Sequence, residues 1–223
     1  MFGLFRRNNK DRLIHFVKNV LLNRHDSDKK VIDSHVTQPL KTTQNINDFK
    51  VGDIVTLGNY RGPIEWQVLE VKDNKALLLS KHILFRKAYD KNHSGTWKTS
   101  SLRQYLNGAF YENCFTESEK NDIILSNIKV NSGDTKDRIY LLSVDEVEKY
   151  FKNYQERIAV SLDGSEGLGW WLRCRGYDDN HVAYVYGGSR IRATGGRIYG
   201  PGFDADRDGG GVRVALQCNL ESW

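Results

Sequence analysis

The chain has 223 residues, 39% of them hydrophobic and 27% charged, and this composition excludes wholesale disorder. No run of about eighteen apolar residues occurs, so the sequence predicts no transmembrane helix. Three Cys are too few for a disulfide framework in a chain of this length. The net charge is +5, but residues 1–50 hold ten of the 33 basic and five of the 28 acidic residues, which leaves 23 of each sign in residues 51–223. The excess positive charge therefore lies in the first 50 residues, and the neutral body does not favour a nucleic-acid partner.

Apolar residues recur at spacings of three and four across residues 11–23, which predicts an amphipathic helix. It belongs to a basic arm, residues 1–24, that begins without the apolar stretch of a secretion signal. Unpaired Cys and the absence of a signal indicate a cytoplasmic location. The arm's alternatives are docking on the body, contact with a partner helix or a second copy of the chain, and attachment of residues 1–23 to an anionic membrane surface. Residues 25–48 are polar and predict a linker.

Residues 49–223 predict one α+β domain. Alternating apolar residues predict the first strands, at 54–57, 64–71 and 76–79. Capping residues predict helices that begin near Ser100, Thr116 and Ser143. After residue 160, Gly-rich turns separate further short strands, predicted at 170–173, 181–186, 190–193 and 212–216. We expect the long C-terminal loops, which include Gly200-Pro201-Gly202, to present a surface.

Several segments resemble one family in the same order along the chain. The segment from Trp97 to Asn107 is similar to the family pattern TWxTSSLRxWLN, and segments 170–173, 183–185 and 211–216 are similar to its C-terminal signature. On these motifs residues 51–220 are identified as a member of the bacterial domain-of-unknown-function family 6273. Cys174 and Val214 depart from the family, which usually has Ser and Pro at these places.

The C-terminal signature also resembles that of C-type lectin-like domains, a group that includes formylglycine-generating enzymes and the variable proteins of diversity-generating retroelements. The resemblance implies a C-type lectin-like fold with small antiparallel sheets, two to three helices and long Gly-rich C-terminal loops. A fold of this kind names no ligand.

The candidate ligand site lies in loops between residues 177 and 208, where Tyr and Arg, the residue types common in binding hot spots, are concentrated. The candidate residues are Tyr177, Asp178, Asp179, Asn180, Tyr186, Arg190, Arg192 and Tyr199. The sequence favours a non-catalytic module that binds a protein or a glycan through this face. The alternative is the ordinary loop surface of a Tyr-rich protein.

The segment from Asp204 to Gly209 has the Asp-x-Asp-x-Asp-Gly start of a calcium loop, in which alternate carboxylates converge on the ion. The twelfth position of that pattern is Ala215 instead of Glu, and Arg207 offsets part of the charge. Asp204, Asp206 and Asp208 therefore predict either a calcium site or a solvated acidic loop, and no other cofactor is indicated.

An enzymatic alternative follows from the same resemblance. Formylglycine-generating enzymes use a pair of C-terminal Cys to hold copper, and sulfoxide synthases of this fold use three His. The spacing around Cys174 and Cys218 does not match the first motif, and the six His form no such triad, so we expect these thiols and Cys114 to be structural. A retroelement-diversified binding protein is a further alternative.

Overall fold

The computed structural model describes residues 49–92, 94–165, 168–187 and 198–221. They lie in the larger of the chain's two units, Thr43–Trp223. The predicted arm (1–24) and linker (25–48) lie outside the described residues, as do Arg190 and Arg192. The described residues form an α+β fold with antiparallel sheets and few helices, which confirms the predicted class at this level.

Eleven strands occur in the described part of the chain: β1 (Ile54–Asn59), β2 (Pro63–Lys72), β3 (Lys75–Ser80), β4 (Phe85–Arg86), β5 (Ser126–Ile128), β6 (Thr135–Asp137), β7 (Trp170–Arg175), β8 (His181–Val185), β9 (Ile198–Asp204), β10 (Gly211–Val212) and β11 (Ala215–Asn219). They form a sheet of four in the order β1-β2-β3-β11, a sheet of five in the order β4-β10-β7-β8-β9, and the pair β5-β6. Neighbouring strands run antiparallel, except that β10 and β7 run parallel.

Five short helices of the described residues lie along the chain between β4 and β5 or between β6 and β7. The first three are α1 (Ser101–Tyr105), α2 (Tyr111–Cys114) and α3 (Glu117–Asp122), and the other two are α4 (Val144–Tyr150) and α5 (Tyr154–Arg157). A 3-10 turn precedes α1, and a π-helical segment, Leu106–Phe110, joins α1 to α2. The predicted caps are confirmed, since Ser100 accepts a hydrogen bond from the Arg103 N–H and capping boxes begin α3 and α4. None of the described helices is long and apolar enough to cross a membrane.

The hairpin between β2 and β3 turns where the sequence predicts it. Asp73 and Asn74 both adopt positive φ, 50° and 57°, and Lys72 pairs with Lys75 across the turn. Two successive positive φ values give the twist that matches the flanking strands, and Asn and Asp tolerate this conformation better than most residues.

The polar residues of the Trp97–Asn107 segment are used inside the domain. Asp137 is fully buried on β6 and accepts hydrogen bonds from the Trp97 indole at 2.9 Å, the Thr135 hydroxyl at 2.6 Å and the Arg103 guanidinium at 2.7 Å. The Asn107 side chain accepts from the Ile139 N–H and donates to the Ile139 carbonyl. Because each group fills the hydrogen-bonding needs of another, this segment fixes α1 to β6.

The two larger sheets are joined at residues 213 and 214, between β10 and β11. The Ser80 N–H donates to the Val214 carbonyl at 2.8 Å, the Val214 N–H donates to the Ser80 hydroxyl at 3.0 Å, and the Arg213 guanidinium donates to the Ser80 carbonyl at 2.8 Å. Arg213 is buried and lies over the rings of Trp170 and Phe151. The single strand predicted at 212–216 is therefore wrong, because the chain leaves one sheet at Val212 and enters the other at Ala215.

A second correction concerns β9, which the sequence analysis assigned to a loop. The Gly200-Pro201-Gly202 segment lies within this strand, at the end of the five-stranded sheet. An edge strand tolerates Pro, because its outward N–H groups have no partner strand. Gly202 adopts a φ of +82°, and a Cβ there would clash with the backbone of Val182 on β8, so Gly is required at this crossing.

Trp66, Trp97, Trp170 and Trp171 are fully buried in the core. Each indole N–H donates to an acceptor in the protein. For Trp66, Trp170 and Trp171 these acceptors are backbone carbonyls. Large buried rings with satisfied N–H groups contribute heavily to core stability.

We expect Asp137→Ala to destabilise the domain by about 2–4 kcal/mol, because it leaves the Arg103 guanidinium and the Trp97 indole without their buried acceptor. Urea unfolding followed by Trp fluorescence measures this loss. The matched control is Asp134→Ala, an exposed carboxylate on the preceding turn, which should change stability by less than about 0.5 kcal/mol. Equal losses in the two variants would contradict the assignment.

Candidate functional site

The connection between β7 and β8 is a short loop held by its own polar groups. The Asp178 carboxylate accepts from the Asn180 N–H at 2.8 Å and lies 2.6 Å from the His181 Nδ1. The Gly176 N–H donates to the His181 carbonyl, and Arg175 pairs with Asp179 at 2.9 Å. These contacts order a loop whose side chains are largely exposed.

His181 connects this loop to the neighbouring strand. Its Nε2 lies 3.2 Å from the Asp204 carboxylate at the end of β9, while its ring packs against Tyr177 at a tilt of 45° with centroids 4.1 Å apart. Tyr177 nevertheless remains 67% exposed. The hydrogen bond with His181 lowers the pKa of Asp178. The imidazole is therefore the central contact of the loop.

Behind the loop, four aromatic rings pack edge to face or tilted on the sheet. Ring centroids of Tyr186 and Tyr199 lie 5.5 Å apart, and both rings pack on Phe203. Tyr184 packs on Phe203 from the other side, and its burial raises its pKa to about 12. Arg207 lies over the Phe203 ring at 4.4 Å. This stack gives the loop a rigid support.

We use the name loop face for residues 176–181 together with Tyr186, Tyr199 and Asp204. The structure places the candidate residues Tyr177, Asp178, Asp179 and Asn180 in one ordered turn. Tyr186 and Tyr199 form a neighbouring pair at the ends of β8 and β9. Asp179 and Asn180 are exposed, whereas Tyr186 and Tyr199 are half-buried.

A cleft of about 520 Å³ adjoins the loop face. The Gly95 N–H donates to the Asp179 carbonyl at 2.5 Å, and a Cβ at Gly95 would clash with the His181 carbonyl, so a Gly is needed where the loop meets the cleft wall. The residues that line the cleft are mostly polar: Gly95, Thr96, Trp97, Lys129, Val130, Asn131, Ser132, Asp134, Ser143, Asp145, Arg173, Cys174, Arg175 and Asp179.

One wall of this cleft, the turn between β5 and β6, was not predicted from the sequence as part of the site. Asn131-Ser132-Gly133-Asp134 is a typical polar turn, and Gly133 adopts a φ of +101°. The turn is recognisable in the sequence, but the strands beside it have three residues each and carry no clear alternation. Its position opposite the loop face depends on tertiary packing.

Arg173 lies in the floor of the cleft but is already fully engaged. Its guanidinium donates to both oxygens of the Glu146 carboxylate and to the Leu141 carbonyl at 2.8 Å. Its side chain is 6% exposed. Burial by itself lowers the pKa of Arg173, but the hydrogen bonds with Glu146 and the nearby negative charge, mainly that of Glu146, together raise it, which keeps Arg173 charged. Because these bonds occupy the guanidinium, its charge is not free to bind a ligand. Arg173 instead fixes β7 to α4.

The candidate calcium ligands, Asp204, Asp206 and Asp208, do not form a metal-ligating group among the described residues. Asp204 is 67% exposed and faces His181, and no three Asp, Glu, His or Cys side chains of the described residues group in a way that could hold a metal ion. The calcium site at Asp204, Asp206 and Asp208 and its alternative, a solvated acidic loop, both stay predictions.

The three thiols are free; Cys114 and Cys218 are buried, and Cys174 is half-buried. Burial raises the pKa of Cys114 to about 11 and that of Cys218 to about 12. Burial also raises the pKa of Cys174, whose sulfur accepts from the Val144 N–H at 3.3 Å. A thiol that stays protonated is a poor nucleophile and a poor metal ligand.

Comparison with known proteins gives a family without a described activity. The model of a domain of unknown function (DUF6273) matches residues 73–220. This match confirms the family inferred from the sequence motifs, although it begins at residue 73 instead of 51. No curated protein and no solved structure matches the chain.

We expect His181→Ala to raise the pKa of Asp178 towards its ordinary value. A carboxyl whose pKa is lowered in the folded state stabilises the fold above its unfolded pKa, and that stabilisation is lost as the pH falls through the folded pKa. Order in the loop should therefore be lost at a higher pH in the variant. Titration of the side-chain carboxyl signals by NMR measures both effects.

Asp163 is the internal control for this titration. Its pKa is also lowered, but by the Ser165 hydroxyl and backbone, so it should not respond to His181→Ala. An unchanged Asp178 titration would show that His181 does not order the loop.

Proposed function

We propose that this chain, which belongs to the DUF6273 family, is a non-catalytic recognition domain with a C-type lectin-like architecture. Its ligand, a protein or a glycan, meets the loop face and the rim of the adjoining cleft. The arm at residues 1–24 tethers the domain to a partner helix, a second copy or a membrane surface in the cytoplasm. Calcium plays no part in this proposal.

The observation that carries the proposal is the state of Tyr177. It is a large side chain that remains mostly exposed, yet the tilted contact with the His181 ring holds it in place. A contact residue that is ordered before binding loses little conformational entropy on binding, and Tyr is among the residues enriched in hot spots. Asp179 and Asn180 beside it supply exposed polar groups.

The architecture supports the same function. Two antiparallel sheets, short intervening helices and loops concentrated in the C-terminal half are features that C-type lectin-like domains share. The polar residues of the strongest sequence motifs form hydrogen bonds inside the domain, such as those of Asp137 and Arg173. The fold thus holds the loop face in position without taking part in binding, as recognition folds do.

The enzymatic alternative finds less support. The candidate thiols Cys174 and Cys218 lie on strands of different sheets, and burial raises the pKa of both. Protonated, buried thiols suit packing better than copper chemistry. The retroelement alternative concerns the identity of the ligand instead of the kind of function.

Cross-linking from the loop face tests the proposal. A photo-reactive p-benzoylphenylalanine in place of Tyr177 should capture a protein ligand in the native cell. The matched control is the same replacement of Tyr154, which is 47% exposed in α5 away from the loop face. Equal yields from the two positions, or none from either, would speak against a protein ligand at this face.

A glycan array covers the second ligand class. Full-length protein should bind a defined subset of glycans, and Tyr177→Ala should weaken that binding at least about thirtyfold, because a hot-spot residue contributes about 2 kcal/mol. Tyr154→Ala should have no effect. The proposed function fails if the array and the cross-linking both show no dependence on Tyr177.

Alkylation of the thiols tests the non-catalytic part. At pH 8 we expect iodoacetamide to modify the three Cys of the native protein far more slowly than those of the urea-unfolded chain, because reaction requires the thiolate. Mass spectrometry of time points gives each rate. Rapid selective modification of Cys174 would restore the enzymatic alternative.

A further inference from the structure

A second cleft lies on a different part of the domain, between the β1–β2 turn, β4 and the segment that follows α5. Its volume is about 380 Å³. The lining residues are Tyr60, Arg61, Leu84, Phe85, Arg86, Lys87, Tyr105, Ser161, Leu162 and Asp163. We call it the basic cleft. It shares no residue with the cleft beside the loop face, and nothing in the proposed recognition function uses it.

Three half-buried aromatic rings form its wall. Phe85 lies between Tyr60 and Tyr105, with ring centroids at 5.3 and 5.7 Å, and all three pack on the buried Phe110. Leu162, 40% exposed, adds an apolar edge. The wall is thus rigid and apolar, and it excludes water from one side of the cleft.

Two of the three cations lie on these rings. The Lys87 ammonium is 4.6 Å from the centre of the Tyr105 ring, and the Arg61 guanidinium is 5.6 Å from that of Tyr60. A cation held on an aromatic face keeps its charge near an apolar wall without a neutralising carboxylate. Within the described residues, Arg61, Arg86 and Lys87 form no ion pair within 4 Å, and Asp163 is the acidic side chain in the lining.

The backbone at Arg61 carries a conformational cost. Its φ is +56°, in the left-handed region that side chains other than those of Gly, Asn and Asp rarely adopt. The following Gly62 also adopts a positive φ, 136°, and Asn59, two residues before Arg61, would suit the left-handed region better than an Arg does. Such outliers cluster at ligand sites, where the position of the side chain outweighs the local cost.

From this juxtaposition we propose that the basic cleft binds a small phosphorylated ligand. Three cations against one carboxylate suit a group with two or more negative charges, which a phosphate has and a single carboxylate lacks. The apolar wall and the volume suit an organic body of metabolite size beside that group. The formal neutrality of residues 51–223 as a whole makes this local excess specific to the cleft.

Calorimetric titration of the full chain with ADP tests the proposal, with adenosine as the probe that lacks phosphate. The decisive variant is Arg61→Gly, because Gly adopts the positive φ freely, and the fold should keep or gain thermal stability. We expect ADP to bind, adenosine to bind more weakly, and Arg61→Gly to weaken ADP binding at least about tenfold. Arg175→Ala, which removes a cation from the other cleft, should leave ADP binding unchanged.

Three results would overturn the proposal: no ADP binding, an ADP affinity that Arg61→Gly does not change, or adenosine binding as tightly as ADP. A phosphotyrosine peptide that binds more tightly than ADP would also overturn it, in favour of a protein ligand. None of these results bears on Tyr177, so the basic cleft and the recognition function stand or fall separately.

Discussion

The two larger sheets depend on the junction at Ser80, Arg213 and Val214. Ser80 uses its N–H, carbonyl and hydroxyl there, and each meets a group of the crossing segment. The crossing also buries the Arg213 guanidinium, which lies over two aromatic rings and donates a hydrogen bond to the Ser80 carbonyl. Burying a cation is costly, so those contacts must offset its lost hydration. Burial lowers the pKa of Arg213 accordingly.

The position of the loop face follows from this junction. β10, directly before the crossing, pairs with β7, and β7 leads into the ordered turn that carries Tyr177. A Cβ at Gly210 would clash with the Trp171 ring, and a Cβ at Gly211 would clash with the Gly169 carbonyl. The dense Gly of this region therefore serves close packing of strands as much as the freedom of loops.

Local signals in the sequence predicted local structure well. Thr116 with Glu119 and Ser143 with Glu146 place helix starts because a capping box needs residues only three positions apart. The Asp73-Asn74 turn is equally local, because it lies in the short gap between the strands predicted at 64–71 and 76–79. The α+β class followed from the order of these elements.

Features set by tertiary contacts could not be predicted in the same way. The break between Val212 and Ala215 interrupts an apolar stretch that has the pattern of one strand, and only the two sheets on either side explain it. β9 contains Gly and Pro, which indicate a loop unless the strand is known to lie at an edge. The wall at 129–134 and the basic cleft join segments distant in sequence, so no spacing pattern marks them. The calcium prediction relied on alternate carboxylates, which converge only if the loop curls, and here Asp204 faces His181 instead.

The composition of β9 has a consequence for solubility. An open strand edge offers unpaired N–H and carbonyl groups to any other extended chain, and such edges are where folded proteins begin to aggregate. Pro201 removes one donor from β9, and the left-handed Gly202 interrupts the regular extension of the strand. A domain that displays aromatic side chains beside this edge therefore resists the addition of a foreign strand. Among the described strands, β9 therefore favours self-association through side chains over extension of the five-stranded sheet.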